Sequence, residues 1–278
     1  MKFCVFLKEL PLRSEDFEEL DWLTEPQEVL LHSADIVLVD SYLVSGEWLA
    51  TARKHVQKLV QIDDFNRIVY PVDLIINPNI FAGDIDYSSQ KATCVGGPDF
   101  VILRKSFRTG VEKPTEKEQT TVLITVGGSD YRGLLPKLTD WALAAGNFEV
   151  RVVIPHEAYA VAEEAHVLPL LNEAEMLREM NYADIVISAC GQTLHELAAL
   201  RKVVIGICLD VDQEPNHAFY NKAGFISGML WWDQPNLEEC VKNQLVNLGS
   251  PSTRLERARQ SPPINVQGVA KVAEAILK

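Results

Sequence analysis

Two short turns carry residue types that can hold an anion without a basic side chain. One is Gly127-Gly128-Ser129-Asp130, at the end of the apolar run from Thr121. The other is Ala189-Cys190-Gly191-Gln192-Thr193, between an apolar strand (Asp184 to Ser188) and a helix that begins near Thr193. Small residues at a strand end expose main-chain N–H groups, and a helix start adds the positive end of its dipole, an arrangement that suits phosphate. Glu196 lies three residues after Thr193, which is capping-box spacing and also places a carboxylate where it could reach a ribose hydroxyl. A single Gly-Gly has the plain reading of a tight turn. Two glycine turns at strand ends in one series point to a shared anionic ligand. A third turn, Asp210-Val211-Asp212-Gln213, follows the next strand and opens another helix. No Gly-Lys-Ser/Thr and no spaced three-glycine fingerprint occurs, so neither a Walker loop nor NAD is expected.

Other groups that could do chemistry are weaker. Asp40, Ser41 and Tyr42 end a buried strand, where ligands of open α/β sheets sit; Asp40 could equally cap the next helix. Asp63 and Asp64 form a carboxylate pair, but adjacent acids at a strand end face opposite ways and read as solvated turn residues. His195 neighbours Glu196, yet adjacent helix residues point about 100° apart, so both cannot enter one site. His217 follows Asp212 and Gln213 near a helix start; it is the candidate for a base, with a solvated helix surface as the plain alternative. Trp231 and Trp232 could stack on a base or sugar or pack in a core.

Composition bounds the classes. The chain has 278 residues, 47% apolar and 23% charged, enough for two folded domains. A formal net charge of −13 argues against nucleic acid or an anionic membrane as the main partner. No apolar run is long enough to span a bilayer, and MKFCVFLKELPLR has too short an apolar stretch for a signal peptide. The five cysteines are scattered, with no Cys-x-x-Cys and no His-x-x-x-His, so no metal and no cofactor are expected, and a cytoplasmic setting is inferred.

The elements that must position these residues alternate. Strands are expected at 2–7, 34–42, 59–64 and 72–80, with helical spacing at 14–31 and 45–57. A strand, a Gly-Gly-Pro turn and an apolar helix or extended segment follow over 93–107. Residues 109–119 are nearly devoid of apolar side chains and read as a linker. A second series then runs through strands at 121–130, 148–155, 167–171, 184–188 and 225–233, with helices at 132–146, 173–182, 236–249 and 261–278. This alternation predicts an α/β protein: two Rossmann-like domains with parallel sheets flanked by helices. The expected division is residues 1–108 and 120–262, with a C-terminal helix at 263–278 packing back on the first domain. A ligand would sit between the domains.

The pieces IVLVDSY (36–42), QIDD (61–64), GGPDFVILRKSF (96–107), VLITVGGSD (122–130), ADIVISACGQTLHE (183–196), Asp212-Gln213 and NVQGVAKVAEAIL resemble, in order, the two-domain glycosyltransferase-B architecture. Within it they are most similar to the UDP-sugar hydrolases of pseudaminic acid biosynthesis (the PseG family) and related spore-coat polysaccharide proteins. The resemblance implies a UDP-sugar ligand. Gly127, Gly128, Ser129 and Asp130 would approach it from one side, Gly191, Gln192 and Thr193 would hold the diphosphate, and Glu196 the ribose. The uracil would lie near Leu171 to Met176, Tyr42 would face the sugar, and Asp212 and Gln213 would contact it, with Tyr42, Asp212 and His217 as the candidate catalytic residues. The family's Gly-x-Gly-His loop, source of its catalytic histidine, is not in the sequence, so the first domain is expected to be shortened by about one βα unit. Hydrolysis, glycosyl transfer and non-catalytic binding therefore all stay open, as does the oligomeric state.

Overall fold

A computed structural model of the chain describes residues 3–7 (main chain only), 34–108, 117–155 and 159–278. The helix expected at 14–31 and most of the expected linker lie outside the described residues. The chain forms two compact units, Met1–Ile102 with Gln267–Lys278, and Leu103–Val266. The division at Ile102 and Leu103 falls ahead of the expected linker, so the segment 96–107 is shared between units rather than belonging to the first.

The first unit holds five parallel strands, β1 (Phe3–Leu7), β2 (Ile36–Asp40), β3 (Lys58–Ile62), β4 (Leu74–Asn77) and β5 (Thr93–Gly96), ordered as in the chain. Right-handed crossovers that always step the same way deliver their connections to one face. Helix α1 (Gly46–Ala52) covers that face, packing Leu49 and Ala52 on Val37, Val39, Leu59 and Ile75. The opposite face, with Ile36, Val60, Leu74 and Ile76, packs against Val272. Val272 belongs to α8 (Gly268–Leu277), so this helix covers the opposite face. Lys58 Nζ donates to the carbonyls of Ala275 (3.0 Å) and Ile276 (2.8 Å), satisfying the last turn of that helix.

The second unit has six parallel strands: β6 (Thr120–Thr125), β7 (Phe148–Val153), β8 (His166–Leu168), β9 (Ile185–Ala189), β10 (Val203–Cys208) and β11 (Leu230–Trp231). Their spatial order is β11-β10-β9-β6-β7-β8. The chain steps outward through β7 and β8, then returns to the other side of β6 to lay down β9. Such a reversal leaves a crevice at the carboxyl ends of the two central strands. Helices α2 (Leu135–Ala145) and α6 (Leu237–Leu248) bury Leu138, Ala142, Val241 and Leu245 against Val122, Ile124, Val150, Ile187 and Ile205. Helices α3 (Glu173–Tyr182), α4 (Thr193–Ala199) and α5 (Glu214–Lys222) lie against β6, β9 and β10.

Element boundaries differ from the sequence expectation in two places with a physical cause. The strand expected at 225–233 shrinks to Leu230–Trp231, because Gly224 and Gly228 adopt φ of 77° and 73° and turn the chain before it. Helix α7 (Pro251–Arg259) has no buried residue, so no apolar stripe marked it in the sequence. Among the described residues no helix is long and apolar enough to cross a membrane. Gly268 is the tightest glycine in the protein's first unit: an added Cβ would lie 2.1 Å from the Val101 carbonyl oxygen. Gly268→Ala should therefore lower stability by about 1–3 kcal/mol in denaturant titration; an unchanged midpoint would show that α8 can shift without cost.

Candidate functional site

The reversal in strand order brings the two glycine turns together. Strand β6 pairs with β9 from Val122↔Ile185 to Thr125↔Ser188, so the turns that follow emerge side by side. Both border a cavity of about 240 Å³, with Thr125, Gly127 and Gly128 on one side and Gln192, Thr193 and Glu196 on another. Val153, Leu170, Leu171, Met176 and Met180 form its apolar wall.

Gly127 has φ of 96°, a left-handed conformation that favours glycine, and a Cβ at Gly127 or Gly128 would meet no heavy atom within 4 Å. The first turn thus presents bare main chain to open space. The N–H groups of Gly127, Gly128, Gly191 and Thr193 donate to no main-chain acceptor among the described residues. Helix α4 has only seven residues, so these amides, rather than a long helix dipole, are what the second turn offers an anion.

Several residues named from the sequence build the turns rather than line the cavity. Asp130 is buried: its carboxylate accepts from the N–H groups of Leu134 and Leu135, each at 2.8 Å, and from the Tyr159 hydroxyl. Two of these three bonds start α2, so Asp130 serves the turn, where the sequence reading gave it a role toward a sugar. Burial, and then that bond, push the Tyr159 hydroxyl up to about 12. Gln213 Oε1 accepts from the N–H of Cys190 at 3.2 Å and of Leu209 at 3.1 Å, strapping the second turn to the end of β10. Asp212 is exposed beside it in a 3-10 turn, and neither residue borders the cavity; nor do Ser129 and Gly191. Arg132 joins the first turn to the third: it donates to the Leu209 carbonyl at 3.2 Å, meets Asp210 at 3.3 Å and covers the Trp232 ring at 4.3 Å. Trp232 is a packing residue against the core of this unit.

His217 is neither solvated nor at the cavity. It is fully buried, and its Nε2 accepts from the Leu230 N–H at 3.3 Å, which puts the ring proton on Nδ1. Burial pushes it down to about 4, so it is a neutral core histidine and not a base for the site. His195 is also fully buried, with Nδ1 2.8 Å from the Tyr220 hydroxyl, and burial takes it to about 4. The first turn of α5 looked polar in the sequence, but the sheet covers its inner side, where Asn216 and His217 lie.

The residue that sequence reading missed is Arg104. Its Nε and Nη2 donate to Glu196 Oε1 and Oε2 at 2.6 and 2.7 Å, a two-point pair on the cavity wall. Glu196 is 2% exposed. Those bonds raise the guanidinium's already high pKa further. The 3-10 turn Lys105–Arg108 holds Arg104 in place. Its Phe107 is buried beneath the guanidinium, 4.7 Å from ring centre to Cζ, and its Ser106 N–H donates to Glu173. That bond holds the Glu173 carboxyl below the usual range. Arg104 falls within the GGPDFVILRKSF segment, but its partner stands 92 positions away, so spacing does not reveal the pair.

In the first unit the paired acids Asp63 and Asp64 are both hydrogen-bonded. Asp63, expected in solvent, is buried and accepts from the hydroxyls of Tyr70 (2.5 Å) and Tyr87 (2.7 Å) and from the Asn66 N–H (2.7 Å). Asp64 accepts from the Tyr42 hydroxyl and from Asn79 Nδ2 at 2.5 Å. Tyr42 is exposed, with Arg67 over its ring at 5.0 Å. Ser45, not Asp40, caps α1, accepting from the Trp48 N–H at 3.1 Å. Burial, then Asp64, raises the Asp40 carboxyl. Among the described residues no cluster of three metal-binding side chains occurs.

No protein-family model and no curated protein matches the chain. Solved structures do. MurG of Acinetobacter baumannii superposes with a TM-score of 0.57 at 16% identity, over 86% of this chain and 73% of that one. Calicheamicin glycosyltransferase CalG4 gives 0.56 at 12%, over 90% and 77%. Spinosyn rhamnosyltransferase SpnG, solved with thymidine diphosphate, gives 0.54 at 12%, over 86% and 73%. The chain therefore has the glycosyltransferase-B architecture, parallel α/β in both units. At such identities the likeness is one of fold.

The buried histidines set a pH dependence. His195 titrates near 4 when folded and near 6.5 otherwise, so the unfolded chain binds the extra proton. Its stabilising contribution is complete above about pH 6.5 and is lost as pH falls toward 4, on the order of 3 kcal/mol. His217 acts in the same direction. Urea unfolding at several pH values should show His195→Gln losing less stability than wild type between pH 6.5 and 4.5; parallel curves would contradict a neutral buried His195.

Proposed function

We propose that this chain binds a UDP-sugar in the second unit and transfers its glycosyl group. The observation that carries the reading is the single cavity bordered by two bare glycine turns, an apolar wall and a buried carboxylate. Each part matches one piece of the ligand. The amides of Gly127, Gly128, Gln192 and Thr193 suit the diphosphate. Leu170, Leu171 and Met176 suit the faces of a uracil, and Glu196 suits the ribose hydroxyls. Gly191 and Ser129 serve by shaping the turns, and Gln213 by holding one of them. Tyr42 remains our proposal for the sugar side of the reaction, with Asp64 as the group that orients its hydroxyl. The ligand, not a resident cofactor or metal, is the partner proposed.

Hydrolysis, the reading that the resemblance to the PseG family favours, needs a base that makes water nucleophilic. Burial removes His195 and His217 from that role, and the Gly-x-Gly-His sequence is not in the chain. CalG4 and SpnG, fold neighbours named as glycosyltransferases, add weight to transfer. A place in surface-glycan assembly is the biological setting we propose, with the particular sugar undefined.

Calorimetry with UDP tests the binding. Glu196→Ala should weaken UDP affinity by about 1–3 kcal/mol as a charged hydrogen bond is lost, and unchanged affinity would refute its role. UDP released from a UDP-sugar only when an acceptor sugar is added would support transfer; equal release without acceptor would restore hydrolysis.

A further inference from the structure

The Arg104–Glu196 pair says which nucleotide the cavity should take, on the reading that it is a nucleotide-sugar site. We propose that Arg104 is a positioning residue that fixes Glu196 as a two-point acceptor, and that the pair selects ribonucleoside over 2′-deoxyribonucleoside diphosphates. An ionised carboxylate offers about four acceptor positions, two on each oxygen. Arg104 takes one on each, through Nε at 2.6 Å and Nη2 at 2.7 Å. Among the described residues no other group donates to this carboxylate. One position per oxygen is left, which is the demand of a vicinal diol.

Two features make the demand strict. Glu196 is 2% exposed, so bulk water cannot readily replace a missing hydroxyl. The guanidinium of Arg104, whose side chain is 43% exposed, lies over buried Phe107, and the turn that carries it is tied to α3 through Ser106 and Glu173. Arg108 closes the same turn by donating to the Leu103 carbonyl at 2.9 and 2.8 Å. A carboxylate gripped at both oxygens cannot swing to make one good bond in place of two. A 2′-deoxyribose would therefore leave a buried acceptor unpaired, the situation in which sites discriminate most sharply. The fold alone does not make this choice, since SpnG was solved with thymidine diphosphate, a deoxyribonucleotide. Because the cation is spent on Glu196, the diphosphate is left to the main-chain amides.

The test is calorimetric titration of the full chain with UDP and with 2′-deoxyuridine diphosphate. Wild type should bind UDP at least about tenfold more tightly. Arg104→Lys keeps the charge but not the fork. It should weaken UDP by about tenfold while leaving the deoxy analogue within about threefold, so the preference collapses. Glu196→Gln, which preserves side-chain volume, should collapse it too and serves if circular dichroism shows the lysine variant unfolded. Equal affinity of wild type for the two nucleotides overturns the proposal. An equal loss of both in Arg104→Lys also overturns it, since it would mark a purely structural ion pair. Binding of neither nucleotide to wild type overturns the nucleotide reading itself, and this proposal with it.

Discussion

The parallel pairing of β6 with β9 is the constraint from which the candidate site follows. Had the chain continued outward after β8, the Gly127 and Gly191 turns would have emerged several strands apart. The reversal instead places them over one crevice, and the register from Val122↔Ile185 to Thr125↔Ser188 holds them level. The first unit shows the contrast. Its strands run β1 to β5 without a reversal, so its sheet has no switch point among the described strands, and Asp63 and Asp64, which follow β3, accept from Tyr70, Tyr87, Tyr42 and Asn79.

Around that crevice, polar side chains hold main chain rather than face outward. Asp130 starts α2, Gln213 straps Cys190 to Leu209, and Arg132 ties Leu209 and Asp210 back to the first turn. The result is a pair of turns in which the N–H groups of Gly127, Gly128, Gly191 and Thr193 donate to no main-chain acceptor among the described residues. This reconciles a net charge of −13 with a proposed anionic ligand: local N–H dipoles, pre-aimed by neighbouring side chains, can act where the overall charge is unfavourable.

Local features were legible in the sequence, and long-range partnerships were not. The glycine turns could be read because a residue such as Gly127, at φ of 96°, has few alternatives to glycine. The alternation of apolar strands with helices gave the parallel α/β class, which follows from periodicity alone. Asp130 and Gln213 are legible as turn residues, but sequence spacing does not show that their acceptors point at N–H groups. His217 was misread because α5 has a polar composition, while its burial depends on β10 and β11 passing beneath it. Arg104 sits in a segment that the resemblance covers, but its role is not legible there, as its partner Glu196 lies on another element. Helix α7 was invisible for want of a buried face.

The central claim is that main-chain amides of two glycine turns, held side by side by β6 and β9, receive the diphosphate. The most direct measurement is amide ¹H–¹⁵N NMR of the full chain during titration with UDP. The account predicts large shifts of the Gly127, Gly128, Gln192 and Thr193 resonances that saturate together with a single affinity. Shifts confined to one turn, or to residues of the first unit, would contradict it.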